Sequence, residues 1–142
     1  MRKLATIILA AVLAISFAGC STGTTAPTTS GSQIIKEISA SEAFAMIQEN
    51  SGKADFVILD VRTPSEFAAG HIEGAIMIDF NASNFSTEVG KLDKDKTYLV
   101  YCRTSNRSGQ AVNVMKDLGF KEVYDMDGGI VAWEAAAYPT VK

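Results

Sequence analysis

Cysteine is nearly absent from these 142 residues: there are two, Cys20 and Cys102, which excludes a framework of several disulfides. Histidine occurs once, as His71. No His, Cys and carboxylate group has the spacing of a metal site, so no metal is expected. The glycines form no phosphate-cradling motif, and no other cofactor is called for. Basic residues are outnumbered 13 to 16, for a net charge of −3. Nothing here would hold a phosphate backbone, which excludes nucleic acid as a partner. No apolar run reaches the about 20 residues that span a bilayer. There is no internal repeat, and the length suits one domain.

What is present begins with a processing segment. Arg2-Lys3 precede an apolar run from Leu4 to Ala18, then Gly19-Cys20, the layout of a secretory signal peptide. Arg2 and Lys3 are the only charges before Cys20, so the remaining chain is more acidic than the whole. The end of the run, Phe17-Ala18-Gly19-Cys20, resembles the bacterial lipoprotein lipobox. That resemblance implies cleavage before Cys20, lipidation of Cys20, and a domain tethered outside the cytoplasm to a cell-envelope membrane. Ser21 is not the Asp associated with inner-membrane retention, so the outer membrane is favoured where there are two. An uncleaved anchor helix is the alternative. Residues 1–19 are thus read as the signal, 20–33 as lipidated Cys and flexible polar linker, and 34–142 as the folded domain. Residues 21–33, STGTTAPTTSGSQ, are small, polar and uncharged, a spacer composition. Once Cys20 carries lipid, Cys102 is the only thiol left.

The domain alternates strand and helix signals. A short strand runs from Ile34 to Ile38. Ser39 and Glu42 are spaced as a capping box, opening a helix that ends near residues 50–52. Phe56 to Val61 is a continuous apolar strand, as expected when both faces of a sheet are covered. Thr63-Pro64-Ser65-Glu66 is a second capping box with Pro at the first helical position, and that helix stops at Gly70. Ala75 to Ile78 reads as a third strand, and Phe85 to Val89 as a brief helix. Tyr98 to Tyr101 is a buried strand, and Glu122 to Asp125 the last. Gly128-Gly129 turn into a closing helix through Trp133, which packs it down. The pattern predicts an α/β layered fold of about five mostly parallel strands with helices on both faces.

Between Tyr101 and a helix carrying Ala111, Val112, Val114, Met115 and Leu118, closed by Gly119, lies Cys102-Arg103-Thr104-Ser105-Asn106-Arg107. A thiol therefore sits where a strand hands over to a helix N-terminus. There, N–H groups point outward unpaired and the helix dipole favours negative charge. With Arg103 and Arg107 alongside, the setting favours a thiolate nucleophile over an inert core cysteine. Asp60 and Arg62 stand at a strand's C-terminal end, where α/β sites gather. They are expected as a buried ion pair bracing the loop, with substrate contact the second choice. His71 has no acidic partner nearby in sequence and is read as a structural hydrogen-bonding residue rather than a base.

Three blocks together carry a family resemblance. Asp60-Val61-Arg62 leads to Glu66-Phe67 and Gly70-His71-Ile72-Glu73-Gly74-Ala75. Cys102 to Ser108 forms the second block, and Val123, Asp127-Gly128-Gly129 and Ala132-Trp133 the third. In this order they resemble the single-domain rhodanese (sulfurtransferase) family, from Ile34 to about Tyr138. The resemblance implies a three-layer rhodanese-like fold and a two-step relay. Cys102 takes a sulfane sulfur from a small inorganic anion such as thiosulfate, as a persulfide. It then passes that sulfur to cyanide, a thiol or a protein thiol. Residues Arg103, Thr104, Ser105, Asn106, Arg107 and Ser108 would bind the substrate, with both arginines available for the anionic leaving group. No partner chain is implied, so a monomer is expected. The family often has Pro where Glu73 stands and Gly where Ser105 stands. A serine forced to positive φ costs of order 1 kcal/mol.

Two alternatives stay open. Cysteine phosphatases and arsenate reductases of similar architecture use Cys-x5-Arg, a loop one residue longer, whereas here Cys102 and Arg107 are separated by four residues. The other alternative is a non-catalytic rhodanese-like binding domain, against which the retained Cys102 speaks.

Overall fold

The structure is a computed structural model and describes residues 32–142. The signal, Cys20 and nearly all of the linker lie outside the described residues. The elements are β1 (Ile34–Ile38), α1 (Ala40–Glu49), β2 (Phe56–Asp60), α2 (Pro64–Ala69), β3 (Ile76–Met77), α3 (Phe85–Gly90), β4 (Thr97–Tyr101), α4 (Asn106–Asp117), β5 (Glu122–Met126) and α5 (Gly129–Ala135). The strands form one sheet in the order β1-β5-β4-β2-β3, and every neighbouring pair is parallel. The third strand is shorter than its sequence suggests. Ala75 leaves the ladder because its N–H closes a turn onto the Ile72 carbonyl at 3.0 Å.

Continuous apolar strands make sense here because alternate residues enter two cores. Ile58, Leu99, Tyr101 and Met126 face α1 and α5, meeting Ala43, Ile130 and Trp133. Leu59, Val100, Cys102 and Val123 face α3 and α4, meeting Phe85, Val89, Ala111, Val112 and Met115. Both capping boxes form. Ser39 and Glu42 start α1, and Thr63 and Glu66 start α2 with Pro64 in its first turn.

The ends of the described segment are tied down. Gln33, placed in the linker by its composition, donates to the carbonyls of Lys116 and Phe120 at 2.9 and 2.8 Å. His71 stacks on Phe67 with centroids 3.7 Å apart, and its backbone pairs with Val141. Trp133 is buried and donates from Nε1 to the Pro139 carbonyl at 2.9 Å. No described helix is long and apolar enough to cross a membrane.

Candidate active site

All strands being parallel, their C-terminal ends share one edge of the sheet. There β4 delivers Cys102, β2 delivers Asp60 and Arg62, and β5 leads into Gly128-Gly129. Cys102 is 1 % exposed, at the floor of the loop 102–106. The loop turns into α4 through Ser105, which is left-handed at φ 72 and gives the helix no side-chain cap. Consequently the N–H groups of residues 103–108 have no acceptor among the described residues, while Gly109 N–H is the first to bond back, to the Ser105 carbonyl at 2.9 Å. Uncapped N–H groups at a helix start are an anion cradle.

The loop's carbonyls, by contrast, are held from outside. The N–H groups of Ile130 and Val131, in the first turn of α5, donate to the carbonyls of Cys102 and Arg103 at 2.9 and 3.2 Å. That approach requires glycine at 129. A Cβ there would lie 2.6 Å from the carbonyl carbon and oxygen of Arg103, at a φ of +55. Two helix N-termini therefore shape the loop: α5 grips its carbonyls, and α4 leaves its amides free.

The two arginines differ. Arg107 donates from Nη1 and Nη2 to the Glu66 carboxylate at 2.8 and 2.7 Å. Two of its five N–H donors are thus engaged by Glu66, a partner its position in the loop does not suggest. Glu66 is the capping residue of α2, and the Arg107 guanidinium, helped by Thr63, holds its carboxyl down at about 2. The pair locks the α4 N-terminus to the α2 N-terminus. Arg103 is exposed and has no salt bridge among the described residues. It borders a cleft of about 200 Å³ that Arg62, Glu66, Ile130, Val131 and Glu134 also line. A larger cavity, about 340 Å³, lies between α1 and the 72–74 segment, and no loop residue lines it.

The hydroxyls of Ser105 and Ser108 both have partners within the protein. The Ser105 hydroxyl turns away from the loop's centre and accepts from Gly128 N–H at 2.6 Å. Ser108 is fully buried, and its hydroxyl donates to the Ser105 carbonyl at 3.2 Å. Thr104 and Asn106 are exposed at the rim.

Asp60 and Arg62 form a buried pair. Arg62 Nη2 meets Asp60 Oδ2 at 2.6 Å and also donates to the Gly70 carbonyl at 2.7 Å. The guanidinium lies 5.5 Å from the Tyr101 ring centroid, directly beneath the start of the loop. His71 Nδ1 sits 3.0 Å from the Phe67 carbonyl and is occupied there. No group of side chains able to hold a metal occurs among the described residues. Two contacts escaped the sequence reading: Glu66 as the partner of Arg107, and Gly129 as the loop's contact. Both residues stood in the resemblance blocks, but their own signals were those of a cap and a turn.

The Rhodanese-like domain family matches residues 40–136. The chain belongs to that family. This rhodanese-like domain is 34% identical over 102 residues to the thiosulfate sulfurtransferase GlpE of Pseudoalteromonas translucida, covering 71% of this chain and 90% of that one. It is 38% identical over 82 residues to the probable adenylyltransferase/sulfurtransferase MoeZ of Mycobacterium tuberculosis, covering 58% of this chain but only 21% of that protein. An uncharacterised Synechocystis relative is likewise spanned over only 47% of its length. Among solved structures, a rhodanese-related protein from Thermoplasma volcanium superposes with a TM-score of 0.65 at 33% identity, covering 75% of this chain and 97% of that one. The α/β rhodanese fold follows from these likenesses.

Proposed function

We propose that the protein is a sulfurtransferase that moves the sulfane sulfur of thiosulfate to cyanide or a thiol through a persulfide on Cys102. The observation that carries this reading is the buried cysteine at the head of a loop whose N–H groups, residues 103–108, have no acceptor among the described residues, with His71 occupied elsewhere. The reaction asks for that arrangement. The Cys102 thiolate attacks the outer sulfur of thiosulfate; the sulfur–sulfur bond breaks and sulfite departs with its electron pair. An acceptor thiolate or cyanide then attacks the outer persulfide sulfur, and the Cys102 thiolate leaves. Neither step moves a proton, so no general base is needed. The negative charge stays on sulfur within reach of fixed N–H dipoles that need no reorganisation.

In this reading Arg103 binds the sulfonate oxygens through charge-assisted hydrogen bonds. Arg107 is a positioning residue, holding the loop against Glu66, and Asp60 with Arg62 supports the loop from below. The intact mass after incubation with thiosulfate tests the proposal. A gain of one sulfur, lost on adding cyanide and absent in Cys102→Ala, is the expected outcome. Sulfur transfer by Cys102→Ala, or aryl phosphate hydrolysis by the wild type at a comparable rate, would overturn it. We also propose lipid attachment at Cys20 and an extracytoplasmic, membrane-held domain. Palmitate labelling in a bacterial host should be lost in Cys20→Ala, and persistence of the label would refute the anchor.

A further inference from the structure

Among the described residues one buried side-chain polar atom has no hydrogen-bond partner, Oδ1 of Asp125. Asp125 lies on β5 and is 7 % exposed. Its Oδ2 is 3.5 Å from where a Cβ on Gly109 would stand, so the carboxyl is pressed against the first turn of α4. The register places it further. Asp125 pairs with Val100 on β4, so the two side chains share a face, and Cys102, two residues beyond Val100, shares that face too. Strands about 4.8 Å apart, rising about 3.3 Å per residue, put the two Cα atoms about 8 Å apart. A carboxyl and the nucleophilic sulfur thus stand side by side under one helix N-terminus.

The groups around Asp125 offer it no cation. From β1, Glu37 lies in register. The segment after β5 brings Asp127, and α4 presents Ser108 and Gly109. β4 brings Val100 and, beyond it, Cys102. Arg107, the cation nearest in sequence to Ser108, is turned to Glu66. Burial, with Glu37 and Asp127 adding to it and Ser108 opposing, pushes the carboxyl up to about 6. The amides and dipole of α4 are the favourable field that the carboxylate shares with the sulfur.

We propose that Asp125 is a positioning residue for the charge on Cys102: the carboxylate and the sulfur anion compete for the α4 N-terminus, and the site carries one negative charge more readily than two. Ionisation of the two groups is therefore anticooperative, and protons leave in steps that belong to the pair. A protonated Asp125 leaves the whole helix field to sulfur, whereas an ionised one makes the thiolate harder to form. This inference deepens the sulfurtransferase reading by giving the reaction a built-in dependence on pH.

The test is the pH dependence of iodoacetamide alkylation of the full chain, read by mass on the Cys102-containing peptide so that Cys20 does not contribute. Two charged side chains on Cα atoms about 8 Å apart, in a partly buried setting, predict that Asp125→Asn lowers the alkylation midpoint by about one pH unit, or about tenfold in rate below it. Identical midpoints in a folded variant would overturn the proposal. Because Asp125→Asn could also disturb packing, a second measurement uses the native carboxyl. The group of a coupled pair that ionises first is unmoved by its partner and the second carries the shift, so by carbon-13 NMR the Asp125 titration should be the same in Cys102→Ser as in wild type and lie below the wild-type alkylation midpoint. An Asp125 that ionises only above that midpoint would overturn the proposal. Neither measurement requires sulfur transfer. A protein that shows the shifted midpoint yet takes no sulfur from thiosulfate would refute the function and leave the coupling intact.

Discussion

Substituting Gly129 by alanine isolates the contact that gives the active loop its shape. The new methyl would sit 2.6 Å from the carbonyl carbon and oxygen of Arg103, where ordinary contact needs about 3.5 Å. The loop, or the start of α5, must give way by about 1 Å. The hydrogen bonds from Ile130 and Val131 to the Cys102 and Arg103 carbonyls, now 2.9 and 3.2 Å, would then exceed bonding distance. Losing them costs about 1 kcal/mol each, and more for a carbonyl left buried. The left-handed backbone adds about 1 kcal/mol, for a total of about 3–5 kcal/mol. At about 4 °C per kcal/mol for a domain of this size, the melting temperature should drop about 12–20 °C. Sulfur transfer should fall at least about 100-fold, since 1 Å of misplacement suffices for that. Gly74→Ala is the control. Gly74 also has positive φ, +78, but a Cβ there would meet nothing within 4 Å, so only the strain of about 1 kcal/mol, about 4 °C, remains. Calorimetry and a thiosulfate:cyanide assay on both variants decide the matter. Equal losses in the two would refute the close-approach argument.

Other expectations follow from single contacts. Arg107→Ala and Glu66→Gln should each reduce sulfur transfer by a similar factor, of order tenfold, because each releases the same bidentate pair; a strong effect of Arg107→Ala alone would mean direct anion binding. Ser105→Gly relieves about 1 kcal/mol of strain but strands the Gly128 N–H, now bonded at 2.6 Å, at a cost of about 1–3 kcal/mol. A lowered urea midpoint is expected, and a stabilised variant would show that strain dominates. Glu66, held at about 2 against an ordinary 4.5, lends stability that is fully present above pH 4.5 and lost as pH falls towards 2. Glu66→Gln should therefore be destabilised relative to wild type at pH 7 and converge with it near pH 2, by urea unfolding. Asp125 works in the opposite direction. Held near 6 instead of 3.8, it favours the folded state at low pH and weakens it as pH rises through that window. Asp125→Asn should gain about 3 kcal/mol over wild type at pH 7.5 and nothing below pH 4.

Why some of this was legible in sequence and some was not comes down to range. Capping boxes, a proline in the first turn and glycines at helix ends act over three or four residues, and both boxes formed as read. Apolar runs such as Phe56 to Val61 announce a covered parallel sheet because both faces must be apolar. The loop at Cys102 could be located for the same reason, as a strand meeting a helix signal. Partnerships across the fold could not. Glu66 had a complete local explanation as a cap, which hid its second role with Arg107. The direction of the Ser105 hydroxyl depends on where the 126–128 segment passes, and Asp125 read as a strand end. Each depends on which strands become neighbours, and no local pattern encodes that.

The order of the strands has a consequence for how the chain reaches this structure. Among the described residues β1 pairs only with β5, Ile34 opposite Glu122. The first strand made must wait for the last, and its edge stays unclaimed until nearly the whole domain exists. Contacts this distant in sequence close slowly, because the entropy of the intervening loop is lost before the pairing is gained. Interruption anywhere before residue 122 would leave an unpaired strand edge and a sticky fragment. The protein should therefore assemble late and all at once, with a lag set by its topology rather than by its helices.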